Sequence, residues 1–395
     1  MKAYFKFLVV MLIALISVFV FSEKSENVDI KNISSKVSVV KTKKKPVQLE
    51  KYSETDTKKV QLKLDSLLKR INKRHDFHGS LLVAKNDKIL YSNQIGYADF
   101  SKKKPINKTS VFQLASVSKQ FTAAAIMLLY ERKQIKLTDT VNHFFPDFPY
   151  ENVTIKNLLN HTAGLPKYFW LSDHLWNKKK APSNSEMMSL LAKSNVQRFY
   201  KPGYKFDYSN TGYFVLASII EKVTGESFSN FIEDNIFNPL EMKNSYVYNT
   251  ENDSIIKNKL SGYRLYRGWR HLKINNTVND AIVGDKNVYT TSEDLFKWTL
   301  GLNNGKLLSK ESLDLMYSKG ETISGKKIPY GFGFRIDPKD ENIIYHHGKW
   351  NGFSTSLTQY KMEDLVIIVL EHTGYNSMTY LNNKIKKLVT ENFKV

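Results

Sequence analysis

Strand-like sequence lies at both ends of the folded part of this chain, with helix-period sequence between, and that distribution limits the fold more than any other feature. Residues 80–84 and 89–95 are apolar runs on either side of Asn86-Asp87, the pattern of a tight β-hairpin. Far along the chain, residues 330–336, 353–360 and 365–370 are strand-like again. From about residue 112 to 304, apolar residues recur at helical spacing in 121–130, 213–223 and 294–302, punctuated by glycine and proline. Distant strands with no helix regularly alternating between them predict an α+β fold: one antiparallel sheet built from N- and C-terminal strands, with a mainly helical lobe inserted. Flanking helices are predicted at each end. From Asp56 onward, Val60, Leu62, Leu64, Leu67, Leu68 and Ile71 form an amphipathic stripe, and a last helical stretch covers about 376–393. No internal repeat interrupts the pattern.

Of 395 residues, 42% are hydrophobic and 13% aromatic, enough apolar surface to offset the entropy of ordering a large domain, so intrinsic disorder is excluded. The absence of cysteine removes disulfide scaffolds, thiolate metal sites, cysteine nucleophiles and lipidated-cysteine anchors. With 59 basic and 38 acidic residues, the net charge is +21. No nucleic-acid-binding module accompanies it, so the excess reads as a basic surface attracted to anionic envelope polymers or lipid head groups, and no nucleic-acid partner is expected. The N-terminus points the same way. Lys2 and Lys6 precede an apolar run over 7–21 broken only by Ser17, the layout of a secretory signal. Residues 1–22 are therefore expected to be a signal peptide or an uncleaved membrane anchor. The run is short of the roughly 20 residues that cross a bilayer, which favours cleavage before Glu23. A lysine-rich flexible spacer is expected over 23–55 and a single large domain over 56–395, placing the protein in the periplasm, at the cell surface or outside the cell.

Three short segments carry the chemistry. The first is Ser116-Val117-Ser118-Lys119, at the start of a helix. Residues three apart share a helix face, so the Lys119 amine can reach the Ser116 hydroxyl, and a buried lysine can accept the proton a serine nucleophile must lose. Spacing alone selects nothing, because Ser38, Ser66, Ser101, Ser254 and Ser324 also stand three before a lysine. Ser116 differs in context: residues 112–114 lead in, and Phe121, Ala123, Ala124, Ala125, Ile126, Met127, Leu128 and Leu129 would bury the helix almost all round. The second segment is Tyr208-Ser209-Asn210, after Lys201-Pro202-Gly203 and before Thr211-Gly212. A phenol beside a lysine can serve as a general base, and an amide can orient a substrate carbonyl. Tyr91-Ser92-Asn93 and Tyr380-Leu381-Asn382 share the spacing but fall in the hairpin and the final helix. The third is His346-His347-Gly348-Lys349, expected just ahead of a strand beginning near Phe353, with His372-Thr373-Gly374 as its competitor. Glycine there lets backbone approach a ligand, and a strand amide can help hold an oxyanion. A metal on His346 and His347 is discounted for want of an H-x-x-x-H pair or a companion carboxylate, and no cofactor or metal is expected. A G-x-S-x-G elbow and a glycine-rich phosphate loop are both missing.

Taken in order, Ser116-x-x-Lys119, Tyr208-x-Asn210 and His346-x-Gly348 resemble the serine hydrolase family that includes class C β-lactamases, D-alanyl-D-alanine carboxypeptidases and related esterases. Supporting stretches are Gly96-Tyr97-Ala98-Asp99, residues 158–166, Thr291-Ser292-Glu293-Asp294-Leu295 and Gly352-Phe353, so the likeness spans about 57–394. It implies a sheet lobe and a helical lobe with the cleft between them. It implies Ser116 as the acylated nucleophile, with Lys119 and Tyr208 sharing its proton. Asn210 would bind the substrate amide or tune Lys119, and the amides of Ser116 and Lys349 would form the oxyanion hole. His346, Gly348 and Lys349 complete the expected substrate-binding set. In the β-lactamases proper the third motif usually begins with lysine. His346 in that place does not assure a cation at neutral pH, which ranks an ester or D-amino-acid amide or peptide above β-lactams as substrate. The expected partner is thus a small ester or amide or a peptidoglycan-type substrate. The alternatives are a β-lactamase or penicillin-binding D,D-carboxypeptidase, and a non-catalytic module that binds anionic envelope polymer through its lysines.

Overall fold

The computed structural model describes residues 53–249 and 256–393. The expected signal or anchor (1–22) lies outside the described residues, as does nearly all of the spacer. Its last three residues do not: Ser53 accepts the Asp56 amide at 3.0 Å and caps a helix that starts at Glu54, two residues earlier than predicted. The helices that matter here are α1 (Glu54–His75), α2 (Lys119–Glu131), α3 (Asn210–Thr224), α4 (Ser292–Asn303) and α5 (Met378–Asn392). Along α1, Val60, Leu64, Leu67, Leu68 and Ile71 are buried as predicted, whereas Leu62 is 61% exposed. Two residues from both Val60 and Leu64, it falls on the opposite side of a 3.6-residue turn.

Six strands form one antiparallel sheet: β1 (Gly79–Lys85), β2 (Lys88–Ile95), β3 (Arg335–Ile336), β4 (Ile343–Trp350), β5 (Phe353–Tyr360) and β6 (Leu365–Glu371), in the order β3-β4-β5-β6-β1-β2. The pairing of β6 with β1, from Gly79↔Glu371 to Lys85↔Leu365, joins the two ends of the chain. Alternation along the strands sorts residues between two cores. Leu81, Val83, Ile367 and Val369 pack with Leu64, Leu68, Leu381 and Ile385 of α1 and α5. Leu82, Ala84, Ile368 and Leu370 face the other way and join the helical lobe.

Within that lobe α2 is buried at every position from Lys119 to Leu129, so it carries no polar stripe and runs through the centre. Trp298 of α4 stacks on Phe121 at 4.2 Å and donates its indole proton to Gln120 at 3.0 Å. Removing a ring so enclosed costs about 3–5 kcal/mol, which holds the first turn of α2 in one place.

Two strand predictions need correction. Of residues 330–336 only β3 is a regular strand; Gly333 has φ +78° and a Cβ there would lie 2.8 Å from the Lys119 carbonyl oxygen, so the chain turns tightly against α2. The His346-x-Gly348 motif lies inside a strand, not ahead of one. Asn351 and Gly352, with φ of 44° and 85°, make the two-residue turn that joins β4 to β5. The histidines and glycine interrupt apolar alternation, which hid this strand.

Candidate active site

Ser116 sits in a tight turn just before α2, on the 3₁₀ segment Ala115–Ser118. Ala115 has φ +48°, a left-handed conformation that costs a non-glycine residue roughly 1 kcal/mol. Neighbours impose it. Leu114 donates its amide to Val288 O at 2.8 Å and accepts the Thr355 hydroxyl at 2.6 Å, while Ser118 Oγ accepts the Val288 amide at 3.0 Å. Ser116 is only partly covered, in contrast to the buried residues on either side, so the turn leaves this one side chain partly accessible.

Lys119, one turn on, is wholly buried. Its Nζ lies 3.3 Å from Ser116 Oγ, 2.8 Å from Asn210 Oδ1 and 2.8 Å from the Asp285 carbonyl oxygen. Burial pulls the Lys119 pKa down from 10.5 to about 8; Asp285 opposes the shift and Arg335 adds to it. The Asp285 carboxylate is fixed in turn by Lys286 Nζ at 3.1 Å and the Tyr168 hydroxyl at 3.0 Å, which steadies the loop whose carbonyl receives Lys119.

Asn210 is the first residue of α3, and Tyr208 lies in the loop before it. The Tyr208 ring is 5.1 Å from Lys119 Nζ and 5.1 Å from the Arg335 guanidinium. Its hydroxyl is buried beside Ser116 without a hydrogen bond of good geometry. Burial pushes this phenol well up, with Ser116 and Arg335 opposing. Ionised tyrosine is therefore disfavoured at neutral pH, and the depressed Lys119 is the better-placed base.

The third motif contributes mainly backbone. Gly348 faces the Ser116 turn so closely that a Cβ would meet Leu114 O at 2.2 Å, Thr355 Oγ1 at 2.4 Å and Ser116 N at 2.9 Å. Hydrogen-bonded pairs alternate along an antiparallel hairpin. Counting back from the turn at Trp350↔Phe353, the Lys349 amide points away from β5, toward the open edge of β4 beyond the short β3. The Lys349 side chain is exposed and bonds Asn376. His346 is fully buried, and both its ring nitrogens are occupied: Nδ1–H donates to His347 O at 2.8 Å and Nε2 accepts the Tyr330 hydroxyl at 3.1 Å. Burial, with Arg335 and Lys119, holds it well below the usual histidine range. In this geometry it is a neutral strut between β4 and the 330–334 loop and has no nitrogen left for a substrate.

Three residues of the site escaped the sequence reading. His161, buried with φ +57°, accepts the Ser209 amide on Nδ1 at 3.1 Å and packs 4.3 Å from the Tyr208 ring, so it seats the loop that carries Tyr208 and Asn210. Tyr330 orients His346. Arg335 stands over Tyr208 and among the described residues has no carboxylate partner, leaving a cation at the cleft where His346 supplies none. An arginine on a two-residue strand gives no sequence signal. His161 lies in the 158–166 stretch quoted above.

This fold is that of penicillin-binding proteins and β-lactamases. A penicillin binding protein from Bacillus halodurans superposes with a TM-score of 0.70 at 24% identity, covering 80% of this chain and 98% of that one. The octameric penicillin-binding protein homologue from Pyrococcus abyssi superposes with a TM-score of 0.70 at 26% identity, over 80% of this chain and 74% of the other. The chain belongs to the Beta-lactamase family, within the serine hydrolase superfamily: the family profile matches residues 64–390. Penicillin-binding protein 4* of Bacillus subtilis is 35% identical over 332 residues, 81% of this chain and 71% of that protein.

Proposed function

We propose that this protein is an exported serine hydrolase that forms an acyl-enzyme on Ser116 and acts on an ester or a D-amino-acid amide or peptide. One observation carries the reading: the buried Lys119 amine, shifted to a pKa of about 8, 3.3 Å from a hydroxyl on a strained turn. Neutral Lys119 takes the Ser116 proton as Oγ bonds to the substrate carbonyl carbon, and the carbonyl π pair moves onto oxygen. The amides of Ser116 and Lys349 hold that oxyanion; such a donor contributes about 3 kcal/mol in related chemistry. Collapse breaks the bond to the leaving alkoxide or amine, which takes its proton back from Lys119 directly or through the Tyr208 hydroxyl. Water then attacks the acyl-enzyme by the same proton path in reverse. Asn210 anchors Lys119 and lies where a substrate amide would pass.

Arg335 supports a substrate with an anionic end, such as a terminal carboxylate, because an unpaired guanidinium offers two parallel hydrogen bonds. The names of the relatives support a peptidoglycan-type substrate. They also favour the second reading, a penicillin-binding D,D-carboxypeptidase or β-lactamase. Export rests on residues 1–22, where Lys2 and Lys6 precede the apolar run of a secretory signal.

The test is intact-mass labelling with a fluorophosphonate and with a penicillin. Wild type should gain one adduct and Ser116→Ala none; equal labelling of both removes Ser116 as the nucleophile. A panel of a p-nitrophenyl ester, a D-alanyl-D-alanine peptide and nitrocefin separates the substrate classes, and nitrocefin turnover matching the ester overturns the preference against β-lactams.

A further inference from the structure

Residues 263–273 form a hairpin, Tyr263–Tyr266 paired with Arg270–Lys273, that stands out from the domain. Every residue from 264 to 270 is exposed, on both faces of the ribbon. Trp269, beside the tip, is 72% exposed, with Leu265 at 43% and Tyr266 at 39%. Arg264, Arg267, Arg270 and Lys273 give the segment four cations and no acid. Arg264 and Arg267 flank the Tyr266 ring at 6.0 and 5.3 Å. An exposed tryptophan is costly in water, and with Arg267 and Arg270 within two residues of it in the chain it suits a surface with an apolar layer beneath an anionic one.

The base of the hairpin is firmly held. His271 Nε2 bonds Asp76 Oδ2 at 2.6 Å and its ring stacks on Phe100 at 3.6 Å, while His78 Nε2 takes the other Asp76 oxygen at 2.9 Å. The cluster reads as a latch, not a metal site. His78 Nδ1 already accepts the Tyr97 amide at 3.0 Å, so the ring proton sits on Nε2, the atom a metal would need. Beside the hairpin, a cavity of about 630 Å³ is lined by Lys102, Lys104, Arg270 and Lys273, with Asp99 as the acid among its lining residues. The Asp99 carboxylate is taken up by the amides of Ser101 and Lys102. A rigid stalk, an aromatic tip and a cationic pocket at its side lie on one surface.

We infer that the 263–273 hairpin docks the domain on an anionic phospholipid bilayer, with Trp269 in the interface and a lipid phosphate in the pocket formed by Lys102, Lys104, Arg270 and Lys273. The expected N-terminal segment is consistent with this occupant: an apolar run followed by a lysine-rich spacer would keep the domain near the same surface.

Full-length protein is mixed with phosphatidylglycerol vesicles carrying brominated acyl chains, and tryptophan emission is compared for wild type, Trp269→Phe, and the double variant Arg264→Ala/Arg267→Ala. Any N-terminal attachment is common to all three, so differences report the hairpin. Wild type should be quenched, Trp269→Phe should lose most of that quenching, and the double variant should need about 25-fold more anionic lipid, from about fivefold per arginine near such a surface. Matching thermal unfolding of the three proteins shows that the fold is kept. Quenching unchanged in Trp269→Phe, or equal on phosphatidylcholine vesicles, overturns the inference. So does binding to a soluble polyphosphate that Trp269→Phe leaves intact while vesicle quenching is absent, which would mark a polyanion surface instead.

Discussion

The Lys119 amine is neutral in only a fraction of molecules at pH 7, so acylation is expected to quicken as the pH rises. With a pKa of about 8, roughly one molecule in ten carries the free base at pH 7; at the ordinary 10.5 it would be about one in 3,000. Burial therefore supplies a factor of about 300 in competent enzyme, on the order of 3 kcal/mol. The neutral amine is the active form, so kcat/KM for a p-nitrophenyl ester should rise about tenfold per pH unit below about 8 and level off above it. Lys119→Arg keeps a cation that cannot deprotonate, and should lose the limb along with about a thousandfold in rate. Arg335→Met removes a cation that depresses Lys119, so whatever it does to substrate binding, the limb should move to higher pH. Stopped-flow or plate-reader initial rates across a constant-ionic-strength buffer series suffice. A profile flat across this range, or a single limb near 10.5, would refute the argument that desolvation of Lys119 activates Ser116.

Two further outcomes follow from the packing. Gly348→Ala drives a methyl into Leu114 O and Ser116 N, both backbone, so activity should collapse and stability fall by about 1–3 kcal/mol in urea titration; near-wild-type rates would show that the turn and β4 are not so tightly apposed. Glu371, buried at the end of β6, is raised to about 7 by burial despite bonds from Thr373 and the Tyr375 amide. Its folded pKa exceeds the unfolded one, so its contribution to stability is lost as the pH climbs from about 4.5 through 7. Between pH 5 and 8, Glu371→Gln should gain about 2 kcal/mol relative to wild type, and parallel unfolding curves would contradict this.

Where side-chain periodicity decides an element, the sequence was readable. The 80–95 hairpin, α1, α2, α3, α4 and α5 all fall close to their predicted positions, because alternation or a 3.6-residue stripe records which face is buried. The failures were at β4, where histidines and glycine replace the apolar pattern, and at 330–334, where glycines allow a loop to press on α2. The order of the three motifs selected Ser116, Tyr208 and His346 from among their decoys, and the structure brings these segments together around Lys119.

Read alone, the chain determined its class through the order of its three motifs, the union of both ends in one sheet through the placement of strand-like sequence, and the one-turn separation of Ser116 from Lys119 through local spacing. Tertiary structure alone decided that Lys119 is dry and meets Asp285 and Asn210, that Ala115 is forced into a left-handed turn, that His346 is neutral and fully bonded, and that Arg335 stands over Tyr208 with no carboxylate partner among the described residues. Those properties come from desolvation and, for Lys119 and Ala115, from contacts between residues 91 or more positions apart, and neither leaves a periodic mark in the order of the amino acids.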